Sequence, residues 1–233
     1  MNANSAIDLA NVSFRWPRSS RAIIDIAHLS LKKSEKLFLH GPSGSGKTTL
    51  LSLIGGIHAA DSGELSVLDN NLCSMSNAQR DQLRADHIGF VFQMFNLIPY
   101  LNAIDNVLLP LRFSRVRKNR CTDAKKDALA LLEQLGLGDS ATHLARPSKL
   151  SVGQQQRVAA ARALIGEPEI IIADEPTSSL DADNRTQFID LLMRRCESSG
   201  AALLFVSHDT SLAASFDRQI NLNDVNRVSE LSE

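Results

Sequence analysis

The 233-residue sequence predicts an α/β fold interrupted by a helical lobe, and three observations lead to that prediction. Short apolar runs bounded by turn residues recur near both ends of the chain, as buried strands do. A glycine-rich loop joins one of these runs to an apolar helix. Between about Met94 and Ala163 the pattern turns helical and no strand stands out. One domain carrying a sizeable insertion suits a chain of this length.

Taken in order, Ile7–Phe14 and Ile23–Leu31 alternate loosely between apolar and polar residues, as half-buried strands do. Trp16-Pro17-Arg18-Ser19-Ser20 between them reads as a turn. Lys36–His40 is a short apolar strand. Lys47–Ile54 continues as a helix that Gly55-Gly56 stops. Ile88–Phe92 reads as another buried strand. In the lobe, Ala124, Ala128, Leu131, Leu132 and Leu135 fall on one helical face, with Gly136 as cap. Ile170–Ala173 returns to strand. A helix from about Asn184 to Cys196 has Asp183 as its expected N-cap and ends in Arg194-Arg195, which suits the helix dipole. Leu203–Val206 is the last clear strand, and the polar tail beyond Asn226 should fray. The expected division is a catalytic core of 1–93 and 164–233, with a helical subdomain over 94–163.

Composition narrows the function. A net charge of −1 gives no global attraction to nucleic acid or to an acidic membrane surface. Cys73, Cys121 and Cys196 lie far apart without ligand spacing and read as free thiols of a reducing compartment. The first residues lack a basic stretch followed by an apolar run, so no secretory signal is expected. Runs such as Leu50–Ile57 are far shorter than the roughly 20 residues a spanning helix needs. The expectation is a cytoplasmic protein that reaches any membrane through a partner.

Gly41-Pro42-Ser43-Gly44-Ser45-Gly46-Lys47-Thr48, followed by Thr49, has P-loop spacing in its confirming context between strand and helix. Glycines let the backbone wrap close to phosphate, where N–H groups and the helix dipole meet negative charge. Lys47 suits the β- and γ-phosphates, and the Thr48 hydroxyl suits Mg²⁺. The strand Ile170–Ala173 ends in Asp174-Glu175. Asp174 is placed to hold the Mg²⁺ shell, and Glu175 to act as general base towards the attacking water. Each pattern has a bland counterpart, since a strand ending in two acids is usually a solvated strand end. The two together in one chain favour ATP chemistry. Leu150-Ser151-Val152-Gly153-Gln154 opens a second helix with an anion-binding start, which one P-loop in one chain does not need. It is needed if that start serves the ATP of a neighbouring subunit.

In their order and approximate spacing, the P-loop, Gln93, Leu-Ser-Val-Gly-Gln, Asp174-Glu175, Ser178-Ser179-Leu180-Asp181 and His208 resemble the ABC transporter ATPases, and the resemblance covers essentially the whole chain. The segment Ile88–Pro99 is most similar to the lipoprotein-releasing, macrolide-export and antimicrobial-peptide-export branch. The resemblance implies an α/β P-loop NTPase core with an inserted helical subdomain and an N-terminal antiparallel β portion, working as a head-to-tail homodimer on a separate transmembrane permease. It implies that Gln93 links the Mg²⁺ and water site to the helical lobe, and that His208 contacts the γ-phosphate. Ser151, Gly153 and Gln154 would cap that phosphate across the dimer, Asp181 would lie at the seam, and Trp16 would stack on adenine. Val152 stands where the family usually has glycine, so the loop must pass it in an ordinary backbone region. A soluble or regulatory ATPase of the cluster-assembly or cell-division type is the rival reading. Two surface expectations remain. Arg112, Arg115, Arg117, Lys118 and Arg120 read as a solvated face, and the apolar segment Met94–Leu101 as part of a groove for a partner's helix.

Overall fold

The computed structural model describes residues 4–178 and 180–228. Its elements in chain order are β1 (Ser5–Phe14), β2 (Ile24–Lys32), β3 (Lys36–His40), α1 (Lys47–Ile54), β4 (Ser62–Val67), β5 (Asn70–Asn71), α2 (Asn77–His87), β6 (Ile88–Val91), α3 (Ala103–Leu108), α4 (Arg115–Arg120), α5 (Ala124–Gln134), α6 (Ser140–Leu144), α7 (Val152–Leu164), β7 (Ile170–Asp174), α8 (Ala182–Ser199), β8 (Ala202–Val206), β9 (Arg218–Asn221) and α9 (Leu222–Val225). They fall into two compact units, one running up to Arg84 and resuming at Ala202, the other Ala85–Ala201. The frayed tail expected beyond Asn226 falls mostly on 229–233, and with Ser179 and residues 1–3 lies outside the described residues. Among the described residues no helix is long and apolar enough to cross a membrane.

In the first unit, β1 lies antiparallel between β2 and β4, and β5 continues from β4. The register of β1 against β4 shifts between Ala10 and Ser13, where Asn11 takes a left-handed φ of 51°. Gly63 meets this bulge with φ 90°, and a Cβ there would sit 2.2 Å from the Asn11 carbonyl oxygen. Only glycine lets the two backbones approach so closely. The strand β3 runs parallel between β8 and β9. Both β3 and β8 are buried on both faces, which is why they read as continuous apolar runs rather than alternating ones.

In the second unit, β6 and β7 pair in parallel, with Ile88 opposite Ile170 and Val91 opposite Ala173. The helix α7 packs on β6, α3 and α5 through Val158, Ala159, Ala160, Ala161, Ala163 and Leu164, all buried. Its alanines allow close packing, and Gly89 of β6 lies so near that a Cβ would come within 2.2 Å of the Ala163 carbonyl. Residues 94–163 carry helices and turns but no strand. The N-cap of α8 is Asp181 rather than the expected Asp183, because the Asp181 carboxylate accepts the Asn184 N–H at 2.9 Å while its own backbone is extended. The helix stops at Gly200, which is left-handed at φ 69°.

Candidate nucleotide site

Site residues of the first unit leave the carboxyl ends of neighbouring parallel strands. Leu39 of β3 pairs with Val206 of β8. Two residues beyond each stand Gly41, the first of the P-loop, and His208, which is exposed. Open α/β sheets bind ligands at these carboxyl ends. The loop wraps through left-handed Gly44 (φ 81°) and Gly46 (φ 98°), and Gly46 ends it as the N-cap of α1. Among the described residues no side chain caps that helix start, so its N–H groups face whatever the loop encloses. The Lys47 ammonium donates to the carbonyls of Gly41 (2.8 Å) and Pro42 (3.0 Å), which keeps the charge folded over the loop with its third N–H to give. The Ser45 hydroxyl is buried and has no hydrogen-bond partner among the described residues. An orphaned buried hydroxyl beside an uncapped helix start fits an anion. Pro42, Ser43 and Thr48 are exposed, whereas Thr49 is buried with the body of α1.

A residue outside the sequence-predicted set anchors this loop. Asn226, buried at 4 % exposure, donates to the carbonyls of Ile23 (2.9 Å) and Ser45 (3.3 Å) and accepts the Asp25 N–H at 2.8 Å. It ties the start of β2 to the P-loop, and nothing in a polar C-terminal stretch announces that. Trp16 stands at the predicted turn, where the Ser19 N–H closes on the Trp16 carbonyl at 2.9 Å. Its ring is perpendicular to Phe14 (5.2 Å between centroids) and to His58 (4.8 Å), yet it keeps 39 % of its surface exposed. Such an open aromatic ring can take a base.

The second unit repeats the strand-end arrangement. Two residues beyond the Val91–Ala173 pair stand Gln93 and Glu175, with Asp174 as the last residue of β7. Gln93 is exposed and the two acids are half-buried. Glu175 is left-handed at φ 46°, and so are Phe95 (57°) and Asn96 (47°) beyond Gln93. Non-glycine residues hold this conformation when their surroundings enforce it. Oxygen donors from Asp174 and Gln93, like the Thr48 hydroxyl of the first unit, are the kind a hard divalent cation takes.

Ser151 caps α7 in a full capping box. Its hydroxyl accepts the Gln154 N–H (3.3 Å), and the Gln154 side chain accepts the Ser151 N–H (2.8 Å). Val152 is the first residue of α7 and its φ is not positive, so the departure from glycine costs no strain. Gly153 is half-buried on the first turn. The Asp181 carboxyl is held below the usual carboxylate range by the Asn184 N–H it accepts. The structure revises the basic cluster. Arg112, Arg115 and Lys118 are exposed, but Arg117 is buried and donates to the carbonyls of Ile165 and Ala163 at the end of α7. Burial pulls its pKa down to about 10. Arg120 pairs with Glu169. The apolar segment is revised too. Phe95 is buried, while Met94 and Tyr100 stand 80 % and 73 % exposed.

Strand-end loops of this composition define a P-loop ATPase cassette, and comparison with known proteins gives the family. The ABC transporter family model matches residues 24–178, and the chain belongs to that family. It is 45 % identical to the uncharacterized ABC transporter ATP-binding protein YbbA of Escherichia coli K12, over 86 % of each chain. It is 44 % identical to the lipoprotein-releasing system ATP-binding protein LolD of Hydrogenovibrio crunogenus, over 91 % of this chain and 90 % of that one. Among solved structures, the dimeric post-hydrolysis state of the ATP-binding cassette MJ0796, bound to ADP and Pi, superposes with a TM-score of 0.82 at 36 % identity, covering 92 % and 93 % of the two chains. The chain is an ATP-binding, ATP-hydrolysing subunit of an ABC transporter.

Proposed function

We propose that this subunit works as a head-to-tail homodimer on a separate transmembrane permease, at the inner face of the membrane, and powers the extraction or export of a lipoprotein, peptide or drug-like substrate. The observation that carries the hydrolytic part is the strand register that sends Gln93 and Asp174-Glu175 from the same end of β6 and β7. In this reading Lys47 and the N–H groups of the P-loop bind the β- and γ-phosphates, and Trp16 stacks on adenine. Glu175 takes the proton of the water that attacks the γ-phosphorus in line, and His208 donates to a γ-phosphate oxygen. Ser151, Gly153 and Gln154 of the partner subunit's copy of α7 cap the same phosphate, with Asp181 at the seam. Thr48, Gln93 and Asp174 would hold Mg²⁺, whose charge offsets that of the phosphate oxygens. The lipoprotein-releasing relative and the dimeric neighbour support the transport and dimer parts. Exposed Met94 and Tyr100, just past Gln93, support a permease contact there.

Glu175→Gln tests the mechanism. ATP affinity should persist while turnover falls about 10²–10⁴-fold, the usual contribution of base catalysis. The variant should then collect as an ATP-bound dimer in light scattering. Near-normal turnover would mean that the base is another group.

A further inference from the structure

Both loops that carry the hydrolytic residues of the second unit are held by side chains of one helix, α7. The buried Gln156 amide donates to the Pro176 carbonyl at 2.6 Å, immediately after Glu175. The two guanidinium nitrogens of Arg162 donate to the carbonyls of Phe95 (2.5 Å) and Asn96 (2.6 Å), immediately after Gln93. Each held segment includes non-glycine residues at positive φ: Glu175 in the first, Phe95 and Asn96 in the second. L-residues leave that conformation when released. Arg162 meets backbone oxygens rather than a carboxylate, and burial alone lowers its pKa. A half-buried guanidinium spent on two successive carbonyls organises a loop, because its planar fork fixes both at once. Six residues separate Gln156 from Arg162, about 9 Å along the axis at helical rise. The helix therefore spaces the two loops with its own backbone, and Ser151 caps its start.

We propose that Gln156 and Arg162 are positioning residues for hydrolysis, Gln156 acting through Glu175 and Arg162 through Gln93, so that one rigid helix sets both groups. This rests on the roles given to Gln93 and Glu175 above. A displacement of α7 at its Ser151 end moves both loops together.

The test is ATP turnover and calorimetric ATP affinity for Arg162→Met, Arg162→Lys and Gln156→Met, each alone and in a Gln93→Ala background. Misplacement of a reacting group costs about 10- to 100-fold in rate. Arg162→Met should lower kcat by that order with ATP affinity within about twofold. Arg162→Lys, which keeps one contact of the two, should fall between it and the wild type. In the Gln93→Ala background Arg162→Met should cost little more, while Gln156→Met should keep its full effect. Hydrogen exchange at residues 92–97 should quicken in Arg162→Met alone. Unchanged kcat with a lowered melting temperature would overturn the proposal, as would a full multiplicative loss on top of Gln93→Ala. Should Arg162→Met fail to fold, the lysine variant carries the same comparison. Full turnover in Gln93→Ala itself, with exchange still quickened by Arg162→Met, would instead overturn the functional reading beneath it.

Discussion

The strand pairs β3–β8 and β6–β7 deliver their site residues alike, two positions beyond a paired residue at the carboxyl end, but they hold them by different means. In the first unit the turns are made by the loop's own backbone, with Asn226 adding a distant tether at the Ser45 carbonyl. Gly44 and Gly46 turn the P-loop, and Lys47 folds back on the loop's own carbonyls five and six positions earlier. In the second unit the shape is imposed from far along the chain. Non-glycine residues sit at positive φ beside carbonyls that Gln156, twenty positions before Pro176, and Arg162, more than sixty positions after Phe95, hold. A loop that makes its own conformation can be read locally. A loop held by distant side chains cannot.

The largest expected effect on ATP affinity attacks the P-loop. Lys47 folds its cation over the P-loop, and a hydrogen bond to a charged group contributes about 1.5–3 kcal/mol. Lys47→Ala should weaken MgATP by roughly 10- to 150-fold on that range, and it also leaves the Gly41 and Pro42 carbonyls without their donor. Titration calorimetry decides it, and unchanged affinity would remove the P-loop from the nucleotide site. The defect should lie in binding, whereas the Arg162 variants should bind and fail to turn over. That split is the sharpest statement of the difference between the two regions.

A smaller loss is expected at the adenine end. Base–aromatic stacking is worth about 1–3 kcal/mol, so Trp16→Ala should weaken ATP roughly 5- to 150-fold and Trp16→Phe considerably less. Trp16 is the chain's single tryptophan, so its fluorescence should also respond to nucleotide. His58 stands 4.8 Å from the ring and is the nearest substitute surface. Silence in both measurements would mean that the base lies elsewhere.

The same division explains what the sequence shows of this fold. Strands β1, β2, β3, β6, β7 and β8 and helices α1, α5, α7 and α8 were legible, because period and end signals lie within each segment. β4 was not. It begins Ser62-Gly63-Glu64, three exposed residues, and its strand state depends on pairing with the β1 bulge. α2 was not either, since Asn77–His87 is mostly polar. At the site, the P-loop, Asp174-Glu175 and the Ser151 cap were legible as local motifs. Gln156, Arg162 and Asn226 were not, because a glutamine, an arginine or an asparagine becomes informative once its distant carbonyl is known. Arg117 misled for the same reason. It lies in a run of exposed basic residues, and its burial follows from the end of α7 that it caps.

The smallest expected effect concerns the opposite end of the β6–β7 pair. His87 directly precedes Ile88, Glu169 directly precedes Ile170, and those two isoleucines are paired. The Glu169 carboxylate bonds the His87 ring at 3.0 Å and the Arg120 guanidinium. Burial works to raise its pKa, but the hydrogen bonds from His87 and Arg120 prevail and bring it down to about 2. Its unfolded value is the ordinary one near 4.3. A folded pKa below the unfolded one means that the unfolded chain binds the proton first as pH falls. The stabilisation is therefore full above about pH 5 and drains away between there and about pH 2. Both partners keep about a third of their surface in water, which holds the contribution near the upper end for exposed pairs, about 1 kcal/mol. Glu169→Gln should then melt about 2–4 °C lower at pH 7. The gap in urea midpoint from wild type should hold to about pH 5 and narrow by pH 3.5. Turnover per folded molecule should stay near wild type, because this clip lies at the amino ends of strands whose carboxyl ends carry Gln93 and Glu175. A gap that widens on acidification would reverse the assigned sign. A loss of turnover without loss of stability would show that the two ends of this strand pair are coupled, and that α7 is not the only element setting Gln93 and Glu175.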